Sequence, residues 1–566
     1  MIEMSGAQAL IESLRRQNVK VIFGIIGGAI MPVYDVLYDS DIRHILVRHE
    51  QCAAHAADGY ARACGKPGIC MATSGPGATN LVTGIANAYM DSSPIIAFTG
   101  QVSTYTPDSS YMVGKDAFQE ADIIGITTPI TKYNYQVKKA AEIPLTVRKA
   151  FHIATTGRPG PVLIDLPKNV QSDMAEMEFS DNIRIRGYRP VYDPHPLQVE
   201  KAADLLVKAE KPMILAGGGV TSSNAFQELL ALAELLLAPV ATTLMGKGCF
   251  PENHPLSLGH IGMHGTREAN QLIQEADVLL ALGTRFSDRS TGKLSSFCPE
   301  AKKIHIDIDP AEIGKNVDID VPIVADAKKA LRAIYDLIIT KVKKKEDSAW
   351  FRRIREVKEQ FLNNACTEKN NLRPQTLLKE LRRILPEDAI VTTEVGQNQM
   401  WAALNFKALK PRTYITSGGL GTMGFGFPAS IGAKVACPDR IVVDIAGDGS
   451  FIMTEQELAC SVKENIPVTV IILNNSMLGM VAQWQRLFYN RRYSAVKLGD
   501  VPDFVKLAEA YGAQGVRIGS LDEFSKVVRN AIKSDVTTVI DVPISPEEDV
   551  FPMIPPGRGL DEMIIG

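Results

Sequence analysis

Two short stretches carry the residue types needed for metal-assisted anion chemistry. Ile441 to Ala446 is an apolar, β-branched run that ends in Gly447-Asp448-Gly449-Ser450, and Ile471 to Leu473 ends in Asn474-Asn475. Each run reads as a buried parallel strand delivering its last residues to the C-terminal edge of a sheet, where open α/β sheets bind ligands. Gly447 and Gly449 leave room for a backbone to approach a phosphate. Asp448 and the Asn475 side chain are hard oxygen donors suited to Mg²⁺, which shares its shell with phosphate oxygens and water. Thr454 and Glu457 have capping-box spacing, which predicts a helix directly after the loop with an N-terminus that favours an anion. A lone Gly-Asp-Gly is usually an ordinary turn; paired with Asn474-Asn475, 26 residues beyond Asp448, it is far more specific. Glu50 follows the strand-like Ile42 to Val47 at the mouth of a helix, where the macrodipole alone favours a carboxylate. Ser74-Gly75-Pro76-Gly77 lacks the lysine of a Walker loop. Gly217-Gly218-Gly219 closes a strand from Pro212 to Ala216, a pattern shared by dinucleotide sites and by simple close packing.

Alternating strands and helices must position these residues. Strands at Val19 to Ile25, Ile42 to Val47, Gly68 to Thr73 and Pro94 to Thr99, separated by helical text, predict a parallel α/β arrangement. A chain of 566 residues exceeds one core. The proline-bearing Pro190 to Pro196 and the charge run Lys341 to Asp347, read as a helical linker, divide it into three parallel-sheet α/β domains at 1–180, 190–340 and 370–566. Hydrophobic content of 45% and charge of 22% are those of a soluble globular protein, and a net charge of −3 gives no nucleic-acid footprint. Eight cysteines without Cys-x-x-Cys spacing read as reduced thiols of a cytoplasmic protein. The N-terminus reads as entering an amphipathic helix directly, with no signal or transit segment. The apolar run from Leu229 to Met245, broken by Glu234 and Pro239, reads as a core helix and strand, not a membrane span.

The Gly-Asp-Gly and Asn-Asn pairing resembles the thiamine diphosphate (ThDP) fingerprint. Together with His49 to Arg62 and Asn474 to Gln485, it resembles the acetolactate synthase (acetohydroxyacid synthase) large-subunit family over about residues 3 to 563. The resemblance implies three ThDP-enzyme domains. In the first, which binds the cofactor pyrimidine, Glu50 bonds the ring nitrogen. Gly28, Thr73, Pro76 and Asn80 stand beside it, and Phe118, Gln119 and Lys168 lie at the substrate entrance. The last domain takes the diphosphate through Val395, Gly396, Gln397 and Asn398. Gly421 and Met423 hold the cofactor bend, and Gly447, Gly449, Ser450 and Met480 complete the contacts. Asp448, Asn475 and the Met477 backbone carbonyl would hold Mg²⁺. The middle domain would bind FAD, without a redox role, through Arg158, Gly217, Gly218, Gly219, Thr243, Leu244, Met263, His264 and Gly265, and through Gly283, Thr284, Arg285, Asp307, Ile308 and Asp326. Arg289 would reach the substrate carboxylate, which suits its planar fork, and Trp484 would contact the second 2-keto acid. Read without the family, Glu50 is a helix-start carboxylate, Met423 and Trp484 are core residues, and the two arginines are salt-bridge partners.

The implied activity is a transferase reaction of branched-chain amino acid biosynthesis. Pyruvate loses CO₂, and the two-carbon unit joins a second pyruvate or 2-ketobutyrate. Sites are implied at the interface of a homodimer or homotetramer, with a small regulatory subunit as a further possible partner and neither nucleic acid nor membrane. The tail Val550 to Gly557 closes over the site in the family. Three positions depart from the pattern: Asn398 replaces a histidine, with its contact expected to survive by donation; Ser287 replaces an aspartate; and Val102 to Gly114 holds about six extra residues. The alternatives are another ThDP carboligase, decarboxylase or pyruvate oxidase, or an inactive scaffold, against which intact Glu50, Asp448 and Asn475 argue.

Overall fold

The computed structural model describes residues 2–104, 116–180, 182–344, 346–362 and 372–565; most of the Val102 to Gly114 insertion lies outside them. The first part of the chain forms β1 (Ile2–Ser5), β2 (Val21–Gly24), β3 (Arg43–Leu46), β4 (Gly68–Ala72), β5 (Ile95–Gln101), β6 (Tyr133–Gln136), β7 (Val162–Pro167) and β8 (Met174–Met177). The middle forms β9 (Pro212–Ala216), β10 (Val240–Thr242), β11 (Ser257–His260), β12 (Val278–Leu282), β13 (Lys302–Asp307) and β14 (Val321–Val324). The last part forms β15 (Ile390–Thr393), β16 (Tyr414–Thr416), β17 (Val442–Gly447), β18 (Thr469–Asn474), β19 (Gln514–Arg517) and β20 (Thr538–Pro543).

Three six-stranded parallel sheets result, as the alternating pattern predicts. Their orders are β3-β2-β4-β5-β7-β6, β11-β10-β9-β12-β13-β14 and β16-β15-β17-β18-β20-β19. The first and last sheets share one topology. The middle sheet instead has the doubly wound order in which the chain reverses between β9 and β12, and a crevice forms at such a reversal. The corresponding reversals in the outer sheets lie between β2 and β4 and between β15 and β17. Both motif strands, β17 and β18, are central, which explains their unbroken apolar text.

The first and last sheets are joined by one core. Helix Glu50–Cys64 lies against helix Gly426–Ala436, with Ala53, Ala54, Ala56 and Ala57 buried beside Phe427 and Ala429. A Cβ on Gly59 would sit 2.1 Å from the Ala429 carbonyl oxygen, and one on Gly432 1.8 Å from that of Ala56. Only glycine allows backbones this close.

Two local expectations are corrected, and a third, the apolar run near residue 229, holds. Strand β1, paired antiparallel with β8, precedes the first helix (Gly6–Arg16). The described residues of the 341–347 charge run are not helical: Lys341 and Lys344 pair with Asp204 and Glu234, and the helix begins later, at Ala349–Leu362. That helix buries Trp350, Ile354 and Val357 against the middle sheet's core. The apolar run near residue 229 becomes helix Phe226–Leu236 followed by β10. No helix among the described residues is long and apolar enough to cross a membrane.

Candidate active site

Strand β17 ends at Gly447, and Asp448 opens a single helical turn, Asp448–Phe451. The Asp448 carboxyl is 5% exposed, and burial raises its pKa to about 6. The nearby backbone amides of Gly449, Asn475 and Met477 oppose that rise, so the ends of β17 and β18 converge on it. The Asn475 Oδ1 accepts from the Met477 amide at 3.2 Å, and its Nδ2 donates to Gln397 Oε1 at 3.1 Å. No group of three or more His, Cys, Asp or Glu able to hold a metal occurs among the described residues. A cation here would be held by one carboxylate plus amide and carbonyl oxygens, the incomplete shell that Mg²⁺ fills with phosphate and water.

On the other side of the reversal, β15 leads through Val395 into Gly396 and helix Gln397–Asn405, whose N-terminus has no side-chain cap. Its first amides are therefore open to an anion. Ser450 Oγ bonds back to Gly447 within its own turn. Met423 lies half-buried between two left-handed glycines, Gly421 and Gly424, and its Cε is 3.9 Å from where a Gly449 Cβ would stand.

Two expectations fail here. Asn398 Nδ2 donates to the carbonyls of Glu394 (3.0 Å) and Ile445 (2.9 Å), so both amide hydrogens are taken and none is left for a ligand. The capping box at Thr454 does not form: a 3₁₀ turn, Glu455–Glu457, precedes helix Leu458–Lys463, and Thr454 Oγ1 donates to the Gly424 carbonyl. Sequence reasoning also passed over Glu394 as an individual residue. Its buried carboxylate accepts from the amides of Gly424 (2.7 Å) and Phe427 (3.0 Å) and so holds the Met423 loop. A glutamate closing a buried strand was the available signal.

Glu50 opens helix Glu50–Cys64 at the edge of the first sheet and is 9% exposed. Asn80 Nδ2 donates to its Oε2 at 2.9 Å, and a Cβ on Gly77 would lie 3.4 Å from its Oε1. Thr73 Oγ1 accepts from the Ala29 amide at 3.3 Å, and Pro76 begins the short helix that carries Asn80. A Cβ on Gly28 would meet nothing within 4 Å, and Gln119 lies over Gly75. Phe118 is 87% exposed, and Lys168, directly after β7, is also exposed.

The middle sheet's crevice opens into a cavity of about 730 Å³. Gly218, Gly219, Gly283 and Thr284 line it at the reversal, with Arg158, Thr243, Leu244, Met263 and His264 around them. Arg285, Asp307, Ile308 and Asp326 form a further wall. Burial raises Asp307 to about 6 and lowers His264 to about 4, so that histidine is neutral. Burial also draws the Arg285 guanidinium downward, an effect Arg158 reinforces and Asp91, Glu312 and Asp307 oppose. Gly217 and Gly265 do not line the cavity. A Gly217 Cβ would sit 2.2 Å from the Gly283 carbonyl oxygen, and one on Gly265 2.6 Å from the Gly262 nitrogen, so both serve close packing. The cavity continues to Val395, Gly396, Gly421, Met423, Met480, Arg289 and Trp484. The cluster around Glu50 does not line it.

Residues 4–126, 199–334 and 394–542 match the thiamine pyrophosphate enzyme family, as its N-terminal TPP binding domain, its central domain and its C-terminal TPP binding domain respectively. The chain is 55% identical over 571 residues to the probable acetolactate synthase large subunit of Methanocaldococcus jannaschii, covering 99% of this chain and 95% of that protein. It is 50% identical over 577 residues to the same-named protein of Methanococcus aeolicus, with the same coverage. It is 47% identical over 562 residues to the acetolactate synthase large subunit of Corynebacterium glutamicum, covering 98% and 89%.

Proposed function

The chain belongs to the acetolactate synthase family of thiamine pyrophosphate enzymes, and we propose that it builds each active site from two copies of itself. It is a ThDP-dependent enzyme of the acetolactate synthase type. One observation carries the shared-site reading. Within one chain, Glu50 stands apart from the cavity lined by Met423, Arg289 and Trp484, and Phe118, next to the Gln119 that lies over Gly75, is bare to solvent. The pyrimidine region, 1–180, of one copy then faces the diphosphate region, 370–566, of another.

Bound ThDP supplies the nucleophilic carbon that pyruvate needs in order to lose CO₂. Asp448, Asn475 Oδ1 and the Met477 carbonyl would hold Mg²⁺, a role that fits a buried carboxylate with no ion-pair partner among the described residues. Val395, Gly396 and the uncapped helix at Gln397 take the diphosphate oxygens. Glu50, oriented by Asn80, shares a proton with the pyrimidine nitrogen. Gly28, Thr73, Pro76 and Gln119 shape the space around that ring, and Phe118 and Lys168 flank the substrate entrance. Arg289 clamps a 2-keto acid carboxylate, and Trp484 meets the acceptor side chain, pyruvate or 2-ketobutyrate. The tail excludes water from its place against the cavity wall: Val550 bonds through both its amide and its carbonyl to the Gln483 side chain, and the Ile554 amide donates to the Met263 carbonyl. FAD would sit in the 190–340 region, a placement the doubly wound crevice between β9 and β12 supports, and the family resemblance implies no redox turnover there. The protein acts in the cytoplasm, in branched-chain amino acid synthesis. Its relatives' designation as large subunits favours a small regulatory partner.

The test is complementation. Glu50→Gln and Asp448→Ala are each expected to abolish acetolactate formation from pyruvate, ThDP and Mg²⁺. Co-expressed, the two inactive chains are expected to form mixed dimers with one intact site and to regain activity. No regain overturns the shared site. A flavin absorbance spectrum of the purified protein tests FAD separately.

A further inference from the structure

We propose that Asp91 and Glu457 are reciprocal positioning residues. Each belongs to one ThDP-type unit and holds, by two consecutive backbone N–H groups, the segment of the other unit that presents a cofactor-facing residue. Glu457, from the last unit, is fully buried; its Oε1 accepts the amide of Arg48 at 2.8 Å and that of His49 at 3.1 Å. Glu50 is the next residue. Asp91, from the first unit, accepts the amide of Gly418 at 3.1 Å and that of Gly419 at 2.7 Å. Met423 lies four residues further on. Both clamps grip two consecutive amides, Glu457 on one oxygen and Asp91 with one on each, and they point in opposite directions across one core.

The Asp91 clamp is braced. Arg62 donates to Asp91 at 2.8 Å, to Asp58 at 2.7 Å and to the Thr416 carbonyl at 2.6 Å. Asn87 donates to Asp58 at 2.9 Å, and its Oδ1 accepts from the hydroxyls of Ser417 and Thr422. Arg48 turns its guanidinium away from Glu457, onto the Leu46 and Ala459 carbonyls. The Glu457 carboxyl therefore works through backbone amides, with no ion pair to Arg48. A buried carboxyl is costly unless it is hydrogen-bonded; Glu457 Oε1 takes both amides while Oε2 is buried without a partner, so the bonding of this carboxyl rests on those two amides. Glu50, Asp58 and Arg62 share one helix, Glu50–Cys64, which touches helix Gly426–Ala436 backbone to backbone. The turn before Glu50 and the loop before Met423 are thus fixed to a single rigid body.

The inference rests on the reading that Glu50 and Met423 handle ThDP, and its test separates the two. In full-length protein without ThDP, Glu457→Ala is expected to lose hydrogen-exchange protection at the Arg48 and His49 amides, and Asp91→Ala at those of Gly418 and Gly419. Glu457→Gln keeps an amide oxygen in place and is expected to retain protection. With ThDP and Mg²⁺ bound, a shift of about 1 Å at Glu50 costs on the order of 10²-fold, so Glu457→Ala is expected to slow proton exchange at the cofactor C2 by about that factor while ThDP affinity is retained. Glu457→Gln is expected to restore most of that rate. Unchanged C2 exchange in Glu457→Ala, or a Glu457→Gln as slow as the alanine variant, overturns the positioning role. A wild-type protein that never accelerates C2 exchange overturns the cofactor reading and the positioning role with it, while the amide protection would still report the clamps.

Discussion

The guanidinium carbon of Arg289 stands 5.9 Å from the centroid of the Trp484 ring, although the residues are 195 positions apart. Arg289 comes from the turn after β12 and Trp484 from helix Gly479–Phe488 after β18, and the distance is within cation–π range. Arg289 also reaches Met263 Sδ at 3.4 Å, and the Trp484 ring meets Phe488 edge-on at 6.0 Å. The Trp484 indole nitrogen is buried without a partner. The two residues thus form one wall of the cavity, with a guanidinium beside a large apolar plate.

In the proposed site, that wall would make Trp484 a specificity determinant. An apolar pocket separates acceptors that differ by one methylene by about 1–3 kcal/mol, on the order of 10- to 200-fold. Trp484→Leu is expected to keep acetolactate formation and to lose most of the preference for 2-ketobutyrate over pyruvate. A competition assay with both acids, paired with a melting curve, checks this. An unchanged product ratio with a lowered melting temperature would make Trp484 a packing residue only.

Glu50→Gln is expected to preserve the fold and Mg²⁺ binding. It should slow C2 proton exchange on bound ThDP by about 10²–10⁴-fold, the usual contribution of a positioned acid–base group. Asn80→Ala, which removes the 2.9 Å bond to Glu50, should give a smaller loss in the same assay. Equal exchange rates in wild type and Glu50→Gln would remove Glu50 from the chemistry.

Asp448→Ala is expected to weaken ThDP binding by at least about tenfold, or ~1.4 kcal/mol, by removing the one carboxylate at the metal position. Chelation of Mg²⁺ should weaken the wild type similarly and leave the variant unaffected. Calorimetric titration in both conditions measures it, and an affinity independent of Asp448 would show that the strand-end motif binds something else.

A pH effect follows from Asp165, beneath the first sheet's edge. Its carboxylate accepts from Thr99 (2.7 Å), Gln101 (3.2 Å) and Gln136 (3.0 Å), yet burial still raises its pKa from 3.8 to about 6. A raised acid holds its proton in the folded state longer than in the unfolded one. Its contribution to stability therefore falls as pH rises from about 4 to about 6 and stays reduced above that. At ~1.4 kcal/mol per unit, the loss is on the order of 3 kcal/mol. Asn fits the same partners by turning its oxygen to the two glutamines and its NH₂ to Thr99. Asp165→Asn should therefore gain on the wild type between pH 4.5 and 7. Urea midpoints at the two pH values check this, and a pH-independent difference would refute it.

Local chemistry was enough to reveal the three α/β units, the two motif strands and the position of Asp448 at a strand end. A buried parallel strand is recognised by its own apolar run, and its end by the glycine and polar residues that follow. Strand order was not legible, because pairing depends on crossovers that no single segment encodes. The same holds where a local rule lost to a distant partner. Glu457 has the spacing of a capping box, but its carboxylate is taken by amides 408 and 409 residues away. Asn398 can donate in principle, but the Glu394 and Ile445 carbonyls fill both its hydrogens. Gly217 reads like a phosphate-approach glycine, and packing against Gly283 accounts for it. The sequence by itself determined which residues could do the chemistry. The tertiary structure decided which of them meet, as with Arg289 and Trp484, because buried polar groups bond whatever partner the packing of separate units brings within reach.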